Sequence, residues 1–558
     1  MRTTVAGKPL VLIPSPRSAQ FTGRVFDGVV PGDEFSQVIL PRTLGNGAVP
    51  VESIRDASLP QGAYTASVTA AAVTVKSGDP EGLRNAVVTV SDTVRQLGGL
   101  AECDIADEPA FKTRAILEGY CGKPWPREGR FQMLDFALWR KFNRYFSSTR
   151  APKVSFSWRE PFDSDELDVV GEVAERCRQY GIDYVFSIRP ADISVSDDAD
   201  RMRLFSKLQT VSRLGIRHFI LLEDDVKTQL SDGDGAAFGD YGTAHSRLVV
   251  ETYRFLKSYD PQSRLIFCPS PYTTDSLSTP AMGLYVEKVR EIVPAEIEVI
   301  WTGPFCCSAK IDDYDADHYG AFVGRKPFLW DNYPVIDGRP GLLFLGPLKR
   351  RSPALADHVS GYGTNAMDWP VANFIPMSTI AEYLWNPQDY DPDVALEDAI
   401  RFELGEAALP AAKRIVELFT SDWQEPEIEQ GAGGSAEVYI NNRGNASTAE
   451  QLKRVADELP RLVEKLNALT PNRDFVAMLG PVVANLVELS KVVSLDTEAV
   501  KRRDRGDERG AEFIENRLRR ELVRMEVGLR YEHMAAISYL RGDWRYYRKL
   551  TGDTSTSI

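Results

Sequence analysis

The chain has 558 residues, 43% hydrophobic and 26% charged, the make-up of a globular protein large enough for two to four domains. Its formal net charge of −14 argues against nucleic acid or an anionic membrane surface as the main partner. Six cysteines with no CxxC spacing read as reduced thiols, and five scattered histidines with no HExxH or EF-hand loop give no basis for a metal site.

Residues 1–109 carry short β-type runs, such as Tyr64 to Val68 and Ala72 to Val75, and a helical stretch near Asn85 to Leu97, which predicts a small α+β domain. Near the start, the run Pro9 to Pro14 is too short for a signal segment, and no apolar run approaches a membrane span, so a cytoplasmic location is expected. No Walker loop and no GxGxxG after a strand appear, so no cofactor is expected.

Over residues 110–390 apolar strands alternate with amphipathic helices. Strands are predicted at 113–119, 142–148, 184–189, 218–224, 264–269, 298–303, 327–332 and 374–378, with helices such as Glu166 to Tyr180, Asp200 to Leu214 and Ser246 to Ser258 between them. Eight strands in this rhythm predict a (β/α)₈ barrel, an α/β fold of the TIM type. Residues 391–558 lose the strands and read as an α-helical bundle, with long amphipathic stretches at 398–423, 448–469, 473–502 and 509–550 and a glycine-rich break at Gln430 to Ser435.

The barrel expectation locates a site. Active-site groups of such barrels collect at the carboxyl ends of the strands. The fourth strand, His218 to Leu222, runs into Glu223-Asp224-Asp225. Asp224 and Asp225 can share one site only where the strand stops and the backbone turns. One of two such neighbouring carboxylates holds its proton near neutrality, which suits a general acid beside a charged stabiliser, as glycoside hydrolysis needs. An acidic helix start or a solvated loop is the alternative for the pair taken alone. Other strand ends add Glu118-Gly119-Tyr120, Cys268-Pro269 with Tyr272 behind it, Trp301 to Pro304, and Trp330-Asp331-Asn332 with Asp337 beyond. Tryptophan beside Asp and Asn supplies an apolar wall and hydrogen-bonding partners for a sugar ring.

The segments Arg114-Ala-Ile-Leu-Glu-Gly-Tyr-Cys-Gly-Lys-Pro-Trp125, Trp158 to Pro161, Leu222-Glu-Asp-Asp-Val226, Phe267 to Pro269, Trp301 to Pro304 and Trp330 to Asn332 resemble glycoside hydrolase family 84 in order and spacing. That family holds the O-GlcNAcases and the bacterial, hyaluronidase-like β-N-acetylglucosaminidases. The resemblance implies a retaining, substrate-assisted β-N-acetylglucosaminidase in which the sugar's own 2-acetamido oxygen forms an oxazoline. It would assign Asp224 to the acetamido N–H and Asp225 to general acid and base. Tyr272 and Asn332 would orient the acetamido oxygen, and Cys268, Thr302 and Trp330 would line its methyl pocket. Gly119, Asp337 and Asn365 would meet sugar hydroxyls.

The pattern departs from the family at Cys121, where members carry an aromatic, and at Arg189, which replaces a small residue. The family lysine after the second strand falls on Arg150 or on Lys153, and the spacing leaves both open. Two alternatives stand beside the hydrolase: an oxazoline-forming enzyme or transglycosylase acting on an unusual 2-acetamido sugar, and an inactive glycan-binding protein on the same scaffold. The implied partner is a carbohydrate, with no nucleic acid or membrane partner, and a dimer through the helical region is possible. The aromatic cluster Trp544-Arg545-Tyr546-Tyr547 is expected to pack the bundle or to reach the mouth of the site.

Overall fold

The computed structural model describes residues 1–26, 51–121, 124–224, 230–336, 343–419 and 446–529. Strands β1 (Arg2–Val5) and β2 (Lys8–Val11) form an antiparallel hairpin. Strands β3 (Ser18–Phe26), β4 (Val51–Arg55), β5 (Tyr64–Val68), β6 (Val73–Ser77) and β7 (Leu100–Asp107) form a sheet in the order β3-β7-β5-β6-β4. The strand alternation buries Tyr64, Ala66 and Val68 against Ala86, Val90 and Val94 of α1 (Pro80–Leu97). Asp79 caps α1 through the Gly82 N–H, Pro80 fits its first turn, and Gly98 ends it in the left-handed region at φ 80°.

Eight parallel strands then close into a barrel: β8 (Arg114–Leu117), β9 (Arg144–Phe146), β10 (Asp183–Ile188), β11 (His218–Leu222), β12 (Arg264–Cys268), β13 (Glu298–Trp301), β14 (Phe328–Asp331) and β15 (Gly361–Asn365). Between them run α2 (Arg127–Trp139), α3 (Ser164–Gln179), α4 (Asp198–Ser212), α5 (Asp232–Phe238), α6 (Tyr241–Tyr259), α7 (Pro280–Ile292) and α8 (Asp313–Val323), and α9 (Phe374–Trp385) follows the last strand. Alternation splits the strand residues into two cores. Leu117, Phe146, Val185, Ile220, Leu222, Ile266, Ile300 and Phe328 fill the barrel, while Ile116, Tyr145, Phe186, Phe219, Leu221, Phe267, Val299 and Leu329 meet the helices.

Seven of the eight predicted strands overlap an observed one. The eighth does not: 374–378 opens helix α9, and the closing strand is Gly361-Tyr-Gly-Thr-Asn365. Helix α9 is buried nearly all round, so its apolar run imitates a buried strand. The true strand carries little β-type signal because its glycines make room for neighbours. A Cβ on Gly361 would lie 2.7 Å from the Phe328 ring, and one on Gly363 would lie 2.7 Å from Leu117 Cδ2.

The remaining helices are α10 (Pro392–Leu404), α11 (Leu409–Phe419), α12 (Ala446–Leu469), α13 (Arg473–Asp504) and α14 (Glu508–Leu529). The single helix expected at 398–423 is broken by Gly405 at φ 91°, with Pro410 close behind. The expectation that no segment approaches a membrane span also needs correction. By length and composition α13 is long and apolar enough to cross a membrane, with a mean hydropathy of 1.6 over its most apolar stretch. Its Phe475, Met478, Leu479, Val482, Val483 and Leu486 are buried in a core shared with α10, α11 and α12, so this apolar face is used within the bundle. The Gln430 to Ser435 break and the Trp544 to Tyr547 cluster lie outside the described residues.

Charged residues join the first sheet to the barrel. Glu81 on α1 accepts from Arg114 Nη2 at 2.5 Å and Asn143 Nδ2 at 3.0 Å, and lies 3.6 Å from Arg84 Nη2. Burial alone would raise its pKa, but the Arg114 and Arg84 charges outweigh that and bring it down to about 2. Asp107 at the end of β7 accepts from Trp385 Nε1 at 2.6 Å and meets Lys141 Nζ at 3.2 Å.

Two outcomes follow from these contacts. Gly361→Val forces a branched side chain onto Phe328 and Thr113, and should lower stability by about 1–3 kcal/mol in denaturant unfolding. Glu81→Gln should cost about 3 kcal/mol at pH 7, since a depressed carboxyl pKa stabilises the fold while it stays ionised. The wild-type advantage should be complete above pH 4.5 and should fade as the pH falls toward 2, which unfolding curves across that window would measure.

Candidate active site

The site forms where the strands end on one side of the barrel. Asp224 follows β11 and is partly exposed. Arg189, at the end of β10, sets Nε 3.3 Å from Asp224 Oδ1 and donates from Nη2 to the Asp224 carbonyl at 3.0 Å. Arg150, after β9, brings Nη2 to 3.6 Å from Asp224 Oδ2. Both carboxylate oxygens therefore face guanidinium groups. Lys153 lies elsewhere: its ammonium reaches Glu166 at 2.7 Å and Asp163 at 3.1 Å, at the start of α3. Of the two candidates after the second strand, the structure brings Arg150 to Asp224 and does not bring Lys153. Asp225 and Asp337 lie outside the described residues.

A second group converges from β8, β14 and β15. Asn332 Oδ1 accepts from Trp330 Nε1 at 3.1 Å and from Asn365 Nδ2 at 2.8 Å, and Asn365 Oδ1 accepts from the Gly119 N–H at 3.1 Å. Gly119 is required by its surroundings, because a Cβ there would overlap the Trp330 ring. Cys268 packs with Trp330 at the end of the barrel core, and Tyr272 rests against the same cluster. Thr302 is tied to this group by its N–H, which donates to the Tyr272 carbonyl at 2.9 Å.

The loop Thr302 to Ser308 carries a sequence signal only in its Trp301-Thr-Gly-Pro304 start. Thr302 Oγ1 donates to the Phe305 carbonyl at 3.0 Å, and the Phe305 N–H donates to Ser308 Oγ at 3.0 Å. That fold carries Cys306 over the site: its carbonyl accepts from Asn332 Nδ2 at 2.6 Å, and its sulfur lies 3.9 Å from the Tyr272 hydroxyl. Cys306 carries no sequence signal of its own except adjacency to the Trp301–Pro304 motif.

Charge pairs hold the strand ends from behind. Glu118 is fully buried and accepts from Arg130 Nε at 2.9 Å, from the Trp125 N–H at 3.0 Å and from the Tyr145 hydroxyl. Asp331 is buried with Arg351 at 2.8 and 2.9 Å and also accepts from the Tyr362 hydroxyl. Burial would lower the Arg351 pKa, but the Asp331 charge beside it wins and raises it. Among the described residues no group of His, Cys, Asp or Glu side chains is arranged to hold a metal ion.

A family model for beta-N-acetylglucosaminidase matches residues 114–417, more than half of the chain. The chain belongs to that family. The resemblance to glycoside hydrolase family 84 read from the six motifs is therefore upheld. The rat protein O-GlcNAcase is 26% identical over 457 residues, covering 69% of this chain and 48% of its own length. The mouse protein O-GlcNAcase is 30% identical over 293 residues, 51% of this chain and 31% of its own. The chain thus spans about half or less of the curated relatives it matches. The solved structure of CpGH84B superposes with a TM-score of 0.70 at 21% identity, over 92% of this chain and 96% of its own. An O-GlcNAc hydrolase of Thermobaculum terrenum, solved as a point mutant, gives 0.60 at 23% identity, over 80% and 98%. At these identities the two structures speak to the fold.

For this family member the thiols offer a direct check of the site's exposure. Cys121 and Cys306 are exposed and Cys307 is half-buried. Burial pushes the Cys103 thiol up to about 12 and raises that of Cys177 well above the usual range, and Cys268 is buried. Titration of the native protein with an aromatic disulfide should modify Cys121 and Cys306 quickly and Cys307 slowly. The other three should react only after unfolding. Peptide mapping that finds Cys268 labelled in the folded protein would contradict this packing.

Proposed function

We propose that the protein is a retaining β-N-acetylglucosaminidase working through an oxazoline. The observation that carries this reading is a carboxylate, Asp224, just past the end of β11, on the side of the barrel where an indole, a phenol and an amide gather after β12 and β14, in a member of this family. In the first step the acetamido oxygen attacks the anomeric carbon, while Asp225 gives its proton to the departing oxygen. Asp224 accepts the acetamido N–H and balances the charge that develops on the ring. The guanidiniums of Arg150 and Arg189 support that role, since both favour the ionised form of Asp224. In the second step Asp225 takes a proton from water, which opens the oxazoline and leaves the β anomer.

Tyr272 and Asn332 would donate to the acetamido oxygen, which requires the Asn332 amide to exchange its bond with the Cys306 carbonyl for one to the substrate. Cys268, Thr302 and Trp330 would enclose the methyl group. Gly119, Asn365 and Asp337 would line the hydroxyl side, and Arg150 takes the position of the family lysine. The substrate class is a β-linked 2-acetamido-2-deoxy glycoside, as the rat and mouse O-GlcNAcases suggest by name.

A leaving-group series of aryl β-N-acetylglucosaminides tests the assignment. Asp225→Asn should recover much of its lost kcat on activated phenols, which need no proton, whereas Asp224→Asn should lose by at least a hundredfold on good and poor leaving groups alike. NMR at an early time point should show the β product. An α anomer, or parallel losses in the two variants, would remove the oxazoline scheme. Binding of the glycoside without turnover would instead favour a glycan-binding protein, and transfer to an added sugar in place of water would favour a transglycosylase.

A further inference from the structure

Three strands of the barrel end in, or run directly into, an acid whose side chain points outward, into the layer between strands and helices: Glu118 just after β8, Glu223 just after β11 and Asp331 at the end of β14. Each is buried, and each precedes a residue of the site, namely Gly119, Asp224 and Asn332. Two of the three are built alike. Glu118 has the Arg130 guanidinium and the Tyr145 hydroxyl, and Asp331 has the Arg351 guanidinium and the Tyr362 hydroxyl. Both are charged groups neutralised in place.

Glu223 departs from this plan. Only 1% of it is exposed, and among the described residues no lysine or arginine forms an ion pair with it. Its Oε1 has no hydrogen-bond partner, and its Oε2 lies 3.6 Å from His245 Nε2 on α6. His245 is itself buried, with Nδ1 2.8 Å from the Tyr285 hydroxyl on α7. The main chain at Glu223 is clamped to the neighbouring strand end. Its N–H donates to the Cys268 carbonyl at 2.9 Å, and its carbonyl accepts from Ser270 Oγ at 2.6 Å.

We infer that Glu223 is a positioning residue, a carboxylic acid kept neutral in the outer layer, which with His245 and Tyr285 fixes the strand end that carries Asp224. A charged carboxylate with one bare oxygen in this layer would be costly, and the neutral acid is the form that such an enclosure tolerates. The groups that face it agree. Burial raises the Glu223 pKa well above its usual range, the adjacent Asp224 charge adds to this, and Arg189 opposes it. Burial also lowers His245 to about 4, so the 3.6 Å contact joins two neutral groups near pH 7 and is no ion pair. The Tyr241 ring packs edge-on against His245, and Tyr285 is held in its neutral form by burial.

The consequence for Asp224 is one of charge. Its immediate neighbour contributes no second negative charge, so the two guanidiniums in front act on Asp224 without a competing anion behind it. The catalytic part of this inference rests on the role proposed for Asp224; the protonation of Glu223 does not.

The test compares Glu223→Gln, Glu223→Ala and Tyr285→Phe with the wild type. In infrared difference spectra at pH 7, Glu223→Gln should remove a protonated-carboxyl band that the wild type shows. Loss of an ionised-carboxylate band instead would overturn the neutral state. On an aryl β-N-acetylglucosaminide, Glu223→Gln should keep kcat within about threefold and leave the acid limb of the pH profile unmoved. Glu223→Ala should lose kcat by tenfold or more with KM changed less than threefold, and Tyr285→Phe should lose kcat to a smaller extent. A Glu223→Gln acid limb displaced by a full pH unit, or Glu223→Ala turning over like the wild type, would defeat the positioning role. If Glu223→Ala does not fold, a Tyr285→Phe enzyme indistinguishable from the wild type would defeat it equally. A wild type that turns over no such glycoside would sink the proposed function alone, while the infrared difference still decides the state of Glu223.

Discussion

The alternation of side chains along a strand governs this site more than any single contact. At each strand end consecutive residues must go to opposite sides, one toward the barrel axis and one toward the helices. The chain uses both directions. Gly119, Asp224, Asn332 and Asn365 belong to the inward set, while Glu118, Glu223 and Asp331 are anchored in the outer layer. A one-residue slip in any of these strands would exchange a site group for its support. The register pairs that close the barrel, such as Leu222 with Cys268 and Asn365 with Leu117, are thus also what sets the spacing of the site.

Much of this was legible in the chain. Seven of the eight strands, the acidic end of β11 and the polar ends of β8, β12, β13 and β14 are legible, because buried parallel strands are written in β-branched and aromatic residues. The closing strand was not legible, because Gly361 and Gly363 exist to accommodate Phe328 and Leu117 and so carry the signature of their neighbours. Helix α9 imitates a strand for the opposite reason, being buried on nearly every side. The choice between Arg150 and Lys153 could not be made from spacing, since it depends on how the loop after β9 turns. Lys153 is drawn to the acids that begin α3, which only the fold brings within reach.

Asp224 also shows how firmly its surroundings can hold a carboxylate at a strand end. Arg189 grips both the carboxylate and the main-chain carbonyl of Asp224. Such a fork restricts rotation as well as supplying charge, which a lysine ammonium does not do. The Cys306 loop adds a second constraint, crossing Asn332 and Tyr272 on the other side of the strand ends.

The hydrogen bond from Trp385 to Asp107 spans 278 residues, and Trp385 is also a member of the core beneath the first sheet. That sheet leaves the ribosome before the barrel does, yet a piece of its core sits at the end of α9. Its final packing must wait until the whole barrel has been synthesised, which at typical elongation rates is a delay of tens of seconds. During that interval Tyr64, Lys141 and Asp107 lack the indole that covers them. For this core the order of synthesis and the order of assembly therefore differ.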